Sequence, residues 1–157
     1  MGSGAIFYNL EHKFSRYIIN DLDFTIYLMH NAIKESSYEE YFLQGENIKK
    51  FFGDIKNSKD AYYAFRNSWN ATYWNDVQNK IFNKEAGLQL LYLTSSCINS
   101  MLRFGPNGMN QSYGNRLYLI SNEIFNALKE KLFFAKLVNH SYNKILVKDI
   151  VYKNCFL

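Results

Sequence analysis

The sequence predicts a mainly helical α/β protein, and three observations support this class. The chain opens with a glycine-rich segment. A helical pattern follows, and then a short apolar run that ends in an acidic residue. From residue 36 to about residue 102, apolar residues recur at three- and four-residue steps, as in amphipathic helices. A second apolar run ending in an acid lies at 145–149. A small sheet unit interrupted by a long helical segment is therefore expected.

This pattern predicts a discontinuous architecture. Residues 1–35 and 121–157 are expected to form a partial α/β unit, and residues 36–120 a helical insertion. A chain of 157 residues is normally one domain, or one domain with an insertion. The single proline agrees with long uninterrupted helices.

The opening unit contains the first candidate site. The segment Gly2-Ser3-Gly4-Ala5 can bring backbone amides close to a ligand. Alternatively, it is a flexible N-terminus or a remnant of cloning. Arg16 to Asp21 is predicted to be a buried strand, because it is rich in aromatic and β-branched residues. An acid after such a strand binds ribose in nucleotide-type units, although Asp21 can equally be a cap for a helix over 24–34.

The middle of the chain is predicted to be helical near 38–52, 58–68, 72–83 and 85–102. Breaks are expected at Gly53, at Asn57-Ser58 and across 67–75. The aromatic stripe in this region either stacks bases or packs in the core; its members are Tyr62, Tyr63, Phe65, Trp69, Tyr73 and Trp74. The rest of the chain is predicted to form a return strand over 117–120, a helix from Ser121 to about Val138 and a strand over 145–148.

The stretch from Cys97 to Arg116 is predicted to be a polar loop on an apolar helical stem. Three glycines and the proline fall within the ten residues from Gly105 to Gly114. The side chains with hydrogen-bonding edges are Arg103, Asn107, Asn110, Gln111 and Arg116. Asn and Gln can bind adenine in a bidentate manner, and Arg can bind guanine or phosphate. The loop is therefore a candidate recognition element, although an ordinary surface turn has the same composition.

Charge and cysteine content restrict the partners and the compartment. Residues 1–60 hold 7 Lys/Arg and 9 Asp/Glu, whereas residues 61–157 hold 11 and 5. The basic second part favours a polyanion partner. The two cysteines and three scattered histidines form no metal-ligand pattern, which predicts no metal site and a reducing, cytoplasmic location. No apolar run of membrane-spanning length or leader pattern is present in the sequence.

Several motifs together resemble the D12 class of adenine-specific DNA methyltransferases, the family of the Dam enzymes. Gly2-Ser3-Gly4-Ala5 looks like the second half of the family's Phe-x-Gly-x-Gly-Ala loop. Asn20-Asp21 resembles the strand end Asn-Asp, and Asp149 is similar to an acid near the cofactor adenine. The run from Ile98 to Gly114 resembles the family's target-recognition segment.

The resemblance implies a partial Rossmann-like sheet that binds S-adenosylmethionine and a helical insertion that reads double-stranded DNA. The residues that it implies for the cofactor are Gly2, Ser3, Gly4, Ala5, Asp21 and Asp149. Those that it implies for DNA are Arg103, Asn107, Asn110, Gln111 and Arg116. It also implies DNA adenine methylation, as in restriction–modification systems.

The sequence departs from the family in its catalytic motif. In family members, Asp-Pro-Pro-Tyr lies on the strand after the one that ends in the acid similar to Asp149. Pro106 is the only proline in this sequence, so the motif is absent. The N-terminal Gly-Gly-Lys segment is also missing. We therefore expect a chain truncated at both ends, without catalytic residues and inactive alone. It would be a fragment or subunit that requires a complementing polypeptide or self-association; the alternative is a non-catalytic DNA-binding or assembly protein derived from such an enzyme.

Overall fold

The structure, a computed structural model, describes residues 2–11, 17–141 and 143–144. Its helices are α1 (Ala5–Asn9), α2 (Phe24–Glu35), α3 (Tyr38–Phe52), α4 (Lys59–Gln78), α5 (Lys84–Ser96) and α6 (Asn122–Phe133), with a 3₁₀ turn at Ile98–Ser100. Its strands are β1 (Tyr17–Asn20), β2 (Phe104–Gly105), β3 (Gly108–Met109) and β4 (Ala135–Val138).

Strands β1 and β4 pair in parallel, with Tyr17 opposite Ala135 and Asn20 opposite Val138. Their carboxyl ends therefore lie at the same edge of this sheet. The strand β1 confirms the sequence prediction, but the prediction of helix up to Val138 was wrong. Helix α6 ends at Phe133, and the chain then pairs with β1, since the Tyr17 N–H donates to the Phe134 carbonyl at 3.1 Å. The strand predicted over 145–148 lies outside the described residues.

Helices α2 and α5 pack along each other at the centre of the molecule. Side chains that are at most 1% exposed come from both parts of the predicted architecture, and they include Leu28, Trp69, Leu93, Phe125 and Leu132. One hydrophobic core thus runs through the α/β unit and the helical segment. Within the described part of the chain, no helix is both long enough and apolar enough to cross a membrane.

Polar caps determine where the long helices begin. Asp23 accepts a hydrogen bond from the Thr25 amide and begins α2, which starts at Phe24 as predicted. Ser121 likewise accepts one from the Ile124 amide and begins α6. These side chains satisfy amides that have no partner inside the first helical turn.

One predicted break and one predicted strand are absent from the structure, and one helix is shorter than predicted. Residues 67–75 lie inside α4 because Trp69 is buried and donates to the Ala86 carbonyl at 3.0 Å. Helix α5 ends at Ser96 rather than near 102, and Cys97 is extended. Residues 117–120 form no strand; instead, the Ile120 amide donates to the Tyr41 hydroxyl at 3.2 Å.

Candidate functional site

The glycine turn before α1 lies against Asp21 at the carboxyl end of β1. Gly2 and Gly4 have φ of 55° and 77°, a left-handed conformation that glycine adopts without strain. The Gly2 N–H donates to Asp21 Oδ2 at 2.8 Å, and the Asp23 N–H donates to Asp21 Oδ1 at 2.9 Å. Partial burial alone raises the pKa of Asp21, but hydrogen bonds, including those from these two amides, hold that pKa below its ordinary value. The carboxylate is therefore ionised at neutral pH.

The turn and this carboxylate fit a cofactor that carries ribose hydroxyls and charged groups. An ionised carboxylate at the end of a parallel strand is the group that accepts hydrogen bonds from ribose hydroxyls. Among the described residues other than the chain neighbours of Gly2, no heavy atom lies within 4 Å of the place that a Cβ on Gly2 would take. The predicted residues Gly2 to Ala5 and Asp21 thus lie together, whereas Asp149 lies outside the described residues.

Two polar residues after β4, which the sequence analysis did not predict, line the same edge. The Asn139 side-chain amide donates to the carbonyls of Asp21 at 2.7 Å and Leu22 at 2.9 Å. The Asn20 side chain donates to the His140 carbonyl and accepts from its amide, at 2.9 and 3.0 Å. A polar pair directly after the apolar run of β4 was the pattern that would have identified them. The hydrogen bonds of Asn139 and His140 connect the end of β4 to the segment that contains Asp21.

Hydrogen bonds at its base close the polar loop. Cys97 forms an antiparallel bridge with Tyr113. The Ile98 amide donates to the Ser112 carbonyl at 3.0 Å, and the Gly114 amide donates to the Ser96 carbonyl at 2.9 Å. The loop is therefore a closed structure on the end of α5, not a loosely solvated turn.

A two-residue hairpin forms the outer part of the loop, which we call the recognition hairpin (residues 103–111). Phe104 pairs with Met109 and Gly105 with Gly108, and Pro106 and Asn107 form the tip. Gly108 has φ of 103°, and a Cβ there would lie 2.4 Å from Asn70 Oδ1. Backbone conformation and space both require glycine at this position.

Helix α4 holds the recognition hairpin through several side chains. Asn70 accepts from the Met109 amide at 2.8 Å and donates to the Met109 carbonyl at 2.9 Å. The Trp74 indole donates to the Pro106 carbonyl at 2.9 Å, and its ring stacks on Phe104 with centroids 5.3 Å apart. Further donors to the Gln111 carbonyl are Tyr62, at 2.9 Å, and Arg66, at 3.0 Å.

The structure divides the five predicted DNA-contacting residues into two groups. Arg103, Asn107 and Asn110 are exposed on the recognition hairpin. Gln111 instead donates through Nε2 to the Ile98 carbonyl at 3.2 Å. The Arg116 guanidinium donates through two nitrogens to the Cys97 carbonyl at 3.4 Å. The first group is thus available to a ligand, while the second group braces the base of the loop.

The aromatic stripe belongs mainly to the core, in agreement with the second of the two alternatives. Tyr62, Phe65 and Trp69 are at most 1% exposed. Tyr63 is half-buried, and the Arg66 guanidinium lies 4.7 Å from the centre of its ring. The aromatic stripe therefore forms part of the core against which the hairpin packs. In the ranges that the structure describes, no group of three His, Cys, Asp or Glu side chains is placed to hold a metal ion.

Comparison with known families gives one match over nearly the whole chain. The model of the D12 class N6 adenine-specific DNA methyltransferase family matches residues 1–154. Because the match covers nearly the whole chain, the protein belongs to the D12 class of N6 adenine-specific DNA methyltransferases. No match was found among curated proteins.

Proposed function

We propose that this chain supplies the DNA target recognition and part of the cofactor site of an adenine N6-methyltransferase, and that it does not methylate DNA alone. The observation that carries this proposal is the recognition hairpin, whose exposed Arg103, Asn107 and Asn110 extend from a backbone fixed to α4. Rigid support matters because hydrogen bonds to base edges discriminate only when their donors and acceptors are held in place.

The exposed side chains have complementary chemistry toward DNA. Arg103 can donate two parallel hydrogen bonds to guanine, or bind a phosphate. Asn107 and Asn110 each offer one donor group and one acceptor group, the pair that adenine presents in the major groove. The net charge of +4 on the whole chain favours association with the DNA backbone.

S-adenosylmethionine is the cofactor that family membership implies, and it supplies an electrophilic methyl group when bound. Asp21 would accept hydrogen bonds from the ribose hydroxyls. The backbone of Gly2, Ser3, Gly4 and Ala5 would line the adjoining part of the cofactor. Asp149 is retained as a proposed contact on resemblance alone.

Methyl transfer requires groups that these 157 residues do not contain. The adenine N6 amine is a poor nucleophile because its lone pair is delocalised into the ring. The base must be flipped out, stacked on an aromatic ring and bound by acceptors for the amine hydrogens. In the family, Asp-Pro-Pro-Tyr meets these needs, and with Pro106 as its one proline the sequence has no such motif. A polypeptide segment that carries this motif would complete the enzyme.

Transfer of a labelled methyl group to duplex DNA tests this proposal. The chain is incubated with labelled S-adenosylmethionine, alone and together with a polypeptide that supplies the family's Asp-Pro-Pro-Tyr region. We expect labelled N6-methyladenine only in the mixture, and less of it at the preferred site when the chain carries Arg103→Ala. Methylation by the chain alone, or none with any such partner, would contradict the proposal.

A non-catalytic DNA-binding or assembly protein remains the second candidate function. It is favoured by the way in which the recognition hairpin is held, since its anchors on α4 do not involve the glycine turn. Under this alternative, DNA binding persists without S-adenosylmethionine and no partner restores methylation. Tight binding of the cofactor to the chain would count against it.

A further inference from the structure

His30 lies behind the glycine turn, on the second turn of α2, and is only 6% exposed. Its Nδ1 lies 2.7 Å from the Tyr8 hydroxyl of α1. Its Nε2 lies 3.1 Å from the Gly2 carbonyl oxygen. One imidazole thus joins α2 to both α1 and the turn.

The chemistry of the partners fixes the protonation state of this imidazole. The Gly2 carbonyl can only accept, so His30 Nε2 must carry a proton. In a neutral ring Nδ1 then accepts from the Tyr8 hydroxyl. Burial lowers the pKa of His30, which agrees with a neutral ring, although the hydrogen bond to Gly2 and the nearby Asp21 carboxylate act in the opposite direction. Burial likewise raises the pKa of Tyr8, so its hydroxyl retains the proton that it donates.

The Gly2 residue is consequently held on both sides of its backbone. Its N–H donates to Asp21, and its carbonyl accepts from His30. The left-handed φ of this residue is a conformation that a free glycine leaves readily, because mirror conformations cost it almost the same. The two hydrogen bonds remove that freedom and set the distance between the turn and the strand-end carboxylate.

We infer that His30 is a positioning residue for the cofactor site. It holds the Gly2 backbone in the conformation to which S-adenosylmethionine binds. The inference rests on the proposed function, since it assumes that the cofactor lies on this turn. His30 itself lies beneath the turn and would not touch the cofactor. Without the hydrogen bond from His30, the turn would become ordered only when the cofactor binds. The affinity for the cofactor would then be lower, because binding would include the cost of ordering the turn.

Two substitutions of His30 separate its hydrogen bonds. The amide nitrogen of a glutamine reaches the position of Nε2, so His30→Gln keeps a donor for the Gly2 carbonyl. The shorter asparagine reaches only the position of Nδ1, so His30→Asn keeps the contact with Tyr8 and loses Gly2. Tyr8→Phe removes the hydroxyl and leaves the ring in place.

Calorimetric titration of the full chain with S-adenosylmethionine tests the inference. We expect His30→Asn to weaken binding by roughly three- to tenfold, the value of one ordinary hydrogen bond. His30→Gln should remain within about twofold of the unsubstituted protein, and Tyr8→Phe should lose less than His30→Asn. Equal losses in His30→Gln and His30→Asn would indicate a purely structural role and would overturn the inference.

A measurement on the unsubstituted chain tests the inference if His30→Asn does not fold. NMR of the protein with ¹⁵N-labelled histidine distinguishes the two neutral tautomers from the cation. The inference requires the tautomer protonated at Nε2 at neutral pH, and a ring protonated at Nδ1 or at both nitrogens overturns it. If the unsubstituted chain binds no S-adenosylmethionine, the cofactor part of the proposed function fails, and the inference with it. Cofactor binding without a difference among the variants overturns the inference alone.

Discussion

Asn70 determines much of the geometry of the recognition hairpin at the scale of single residues. Its side-chain amide pairs with both backbone groups of Met109, which is 1% exposed. The contact imitates a neighbouring β-strand, although α4 supplies it. A residue type that favours loops in sequence patterns therefore lies in mid-helix, where it has a partner from another element.

Replacement of Asn70 by alanine should destabilise the protein by about 1–3 kcal/mol, because an amide and a carbonyl of the hairpin would lose their partner. Chemical denaturation followed by tryptophan fluorescence measures this change in the free energy of unfolding. Asn126→Ala, which removes an exposed hydrogen bond to Asn122 on α6, is the matched control and should change it by less than about 0.5 kcal/mol. Similar values for both variants would show that Asn70 does not hold the hairpin.

Arg116 and Arg103 should respond differently to substitution by alanine. Arg116 donates two long hydrogen bonds to the Cys97 carbonyl, so its loss should destabilise the base of the loop by about 0.5–1 kcal/mol. Amide hydrogen exchange at Ile98 and Gly114 should become faster. Arg103→Ala, in which an exposed side chain is removed, should leave exchange unchanged. Unchanged exchange in Arg116→Ala would contradict the bracing role.

At the scale of elements, the sequence was most informative where an element is specified locally. The start of α2 at Phe24 and the bounds of α3 are as predicted. The Asp23 cap begins α2, and Gly53 ends the helical periodicity of α3. Strand β4 was missed because its four residues become a strand only by pairing with β1, more than a hundred residues earlier. The continuity of α4 was missed because burial of Trp69 overrides the weak helix preference of the asparagines around it.

The start of α3 predicts a measurable dependence of stability on pH. Ser37 and Glu40 form a capping box, and Glu40 also pairs with Lys84. The hydrogen bond from Lys84, followed by that from the Ser37 amide, holds the pKa of Glu40 below its ordinary value of 4.5. A lowered pKa means that this carboxylate stabilises the fold above its unfolded pKa, and that the contribution is lost as pH falls through the folded pKa.

Glu40→Gln keeps a capping-box side chain but removes the charge. Because the two partners are 42% and 45% exposed, we expect a loss of only about 0.2–1 kcal/mol at neutral pH. Denaturation at several pH values should show this difference disappearing below the folded pKa of Glu40. A difference that persists at acid pH would mean that the charge is not its origin.

At the scale of the whole molecule, the surface around the parallel sheet favours association with another chain. In the part of the chain that the structure describes, this sheet consists of β1 and β4. Large apolar side chains near this sheet are exposed, including Ile6 at 77% and Phe133 at 76%. Exposed apolar surface of this kind favours association.

We therefore expect the chain to associate, either with itself or with a complementing polypeptide. Size-exclusion chromatography with light scattering should show a mass above the 18.5 kDa of one chain, or a shift to a complex when the Asp-Pro-Pro-Tyr polypeptide is added. Phe133→Glu should reduce association if this surface takes part. A stable monomer that ignores the added polypeptide would contradict the expectation.

The residues of the candidate site could be predicted from the sequence where they belong to a recognisable motif. The glycine turn and Asp21 were found from their order in the sequence, and the structure brings them within hydrogen-bonding distance. His30 could not be found in this way, because it acts on Gly2, which only the fold brings near. The division of the loop residues into exposed and bracing groups likewise depends on carbonyls at the end of α5.

Selection of bound duplexes from a random-sequence DNA pool tests most directly the central claim that the recognition hairpin reads a DNA target. The unsubstituted chain should enrich one short sequence, with an affinity that falls as salt rises. Arg103→Ala should fold normally and relax the preference at one position, at a cost of about 1–3 kcal/mol for the lost base contact. A bound pool without any enriched sequence, or an identical preference in Arg103→Ala and the unsubstituted chain, would contradict the account.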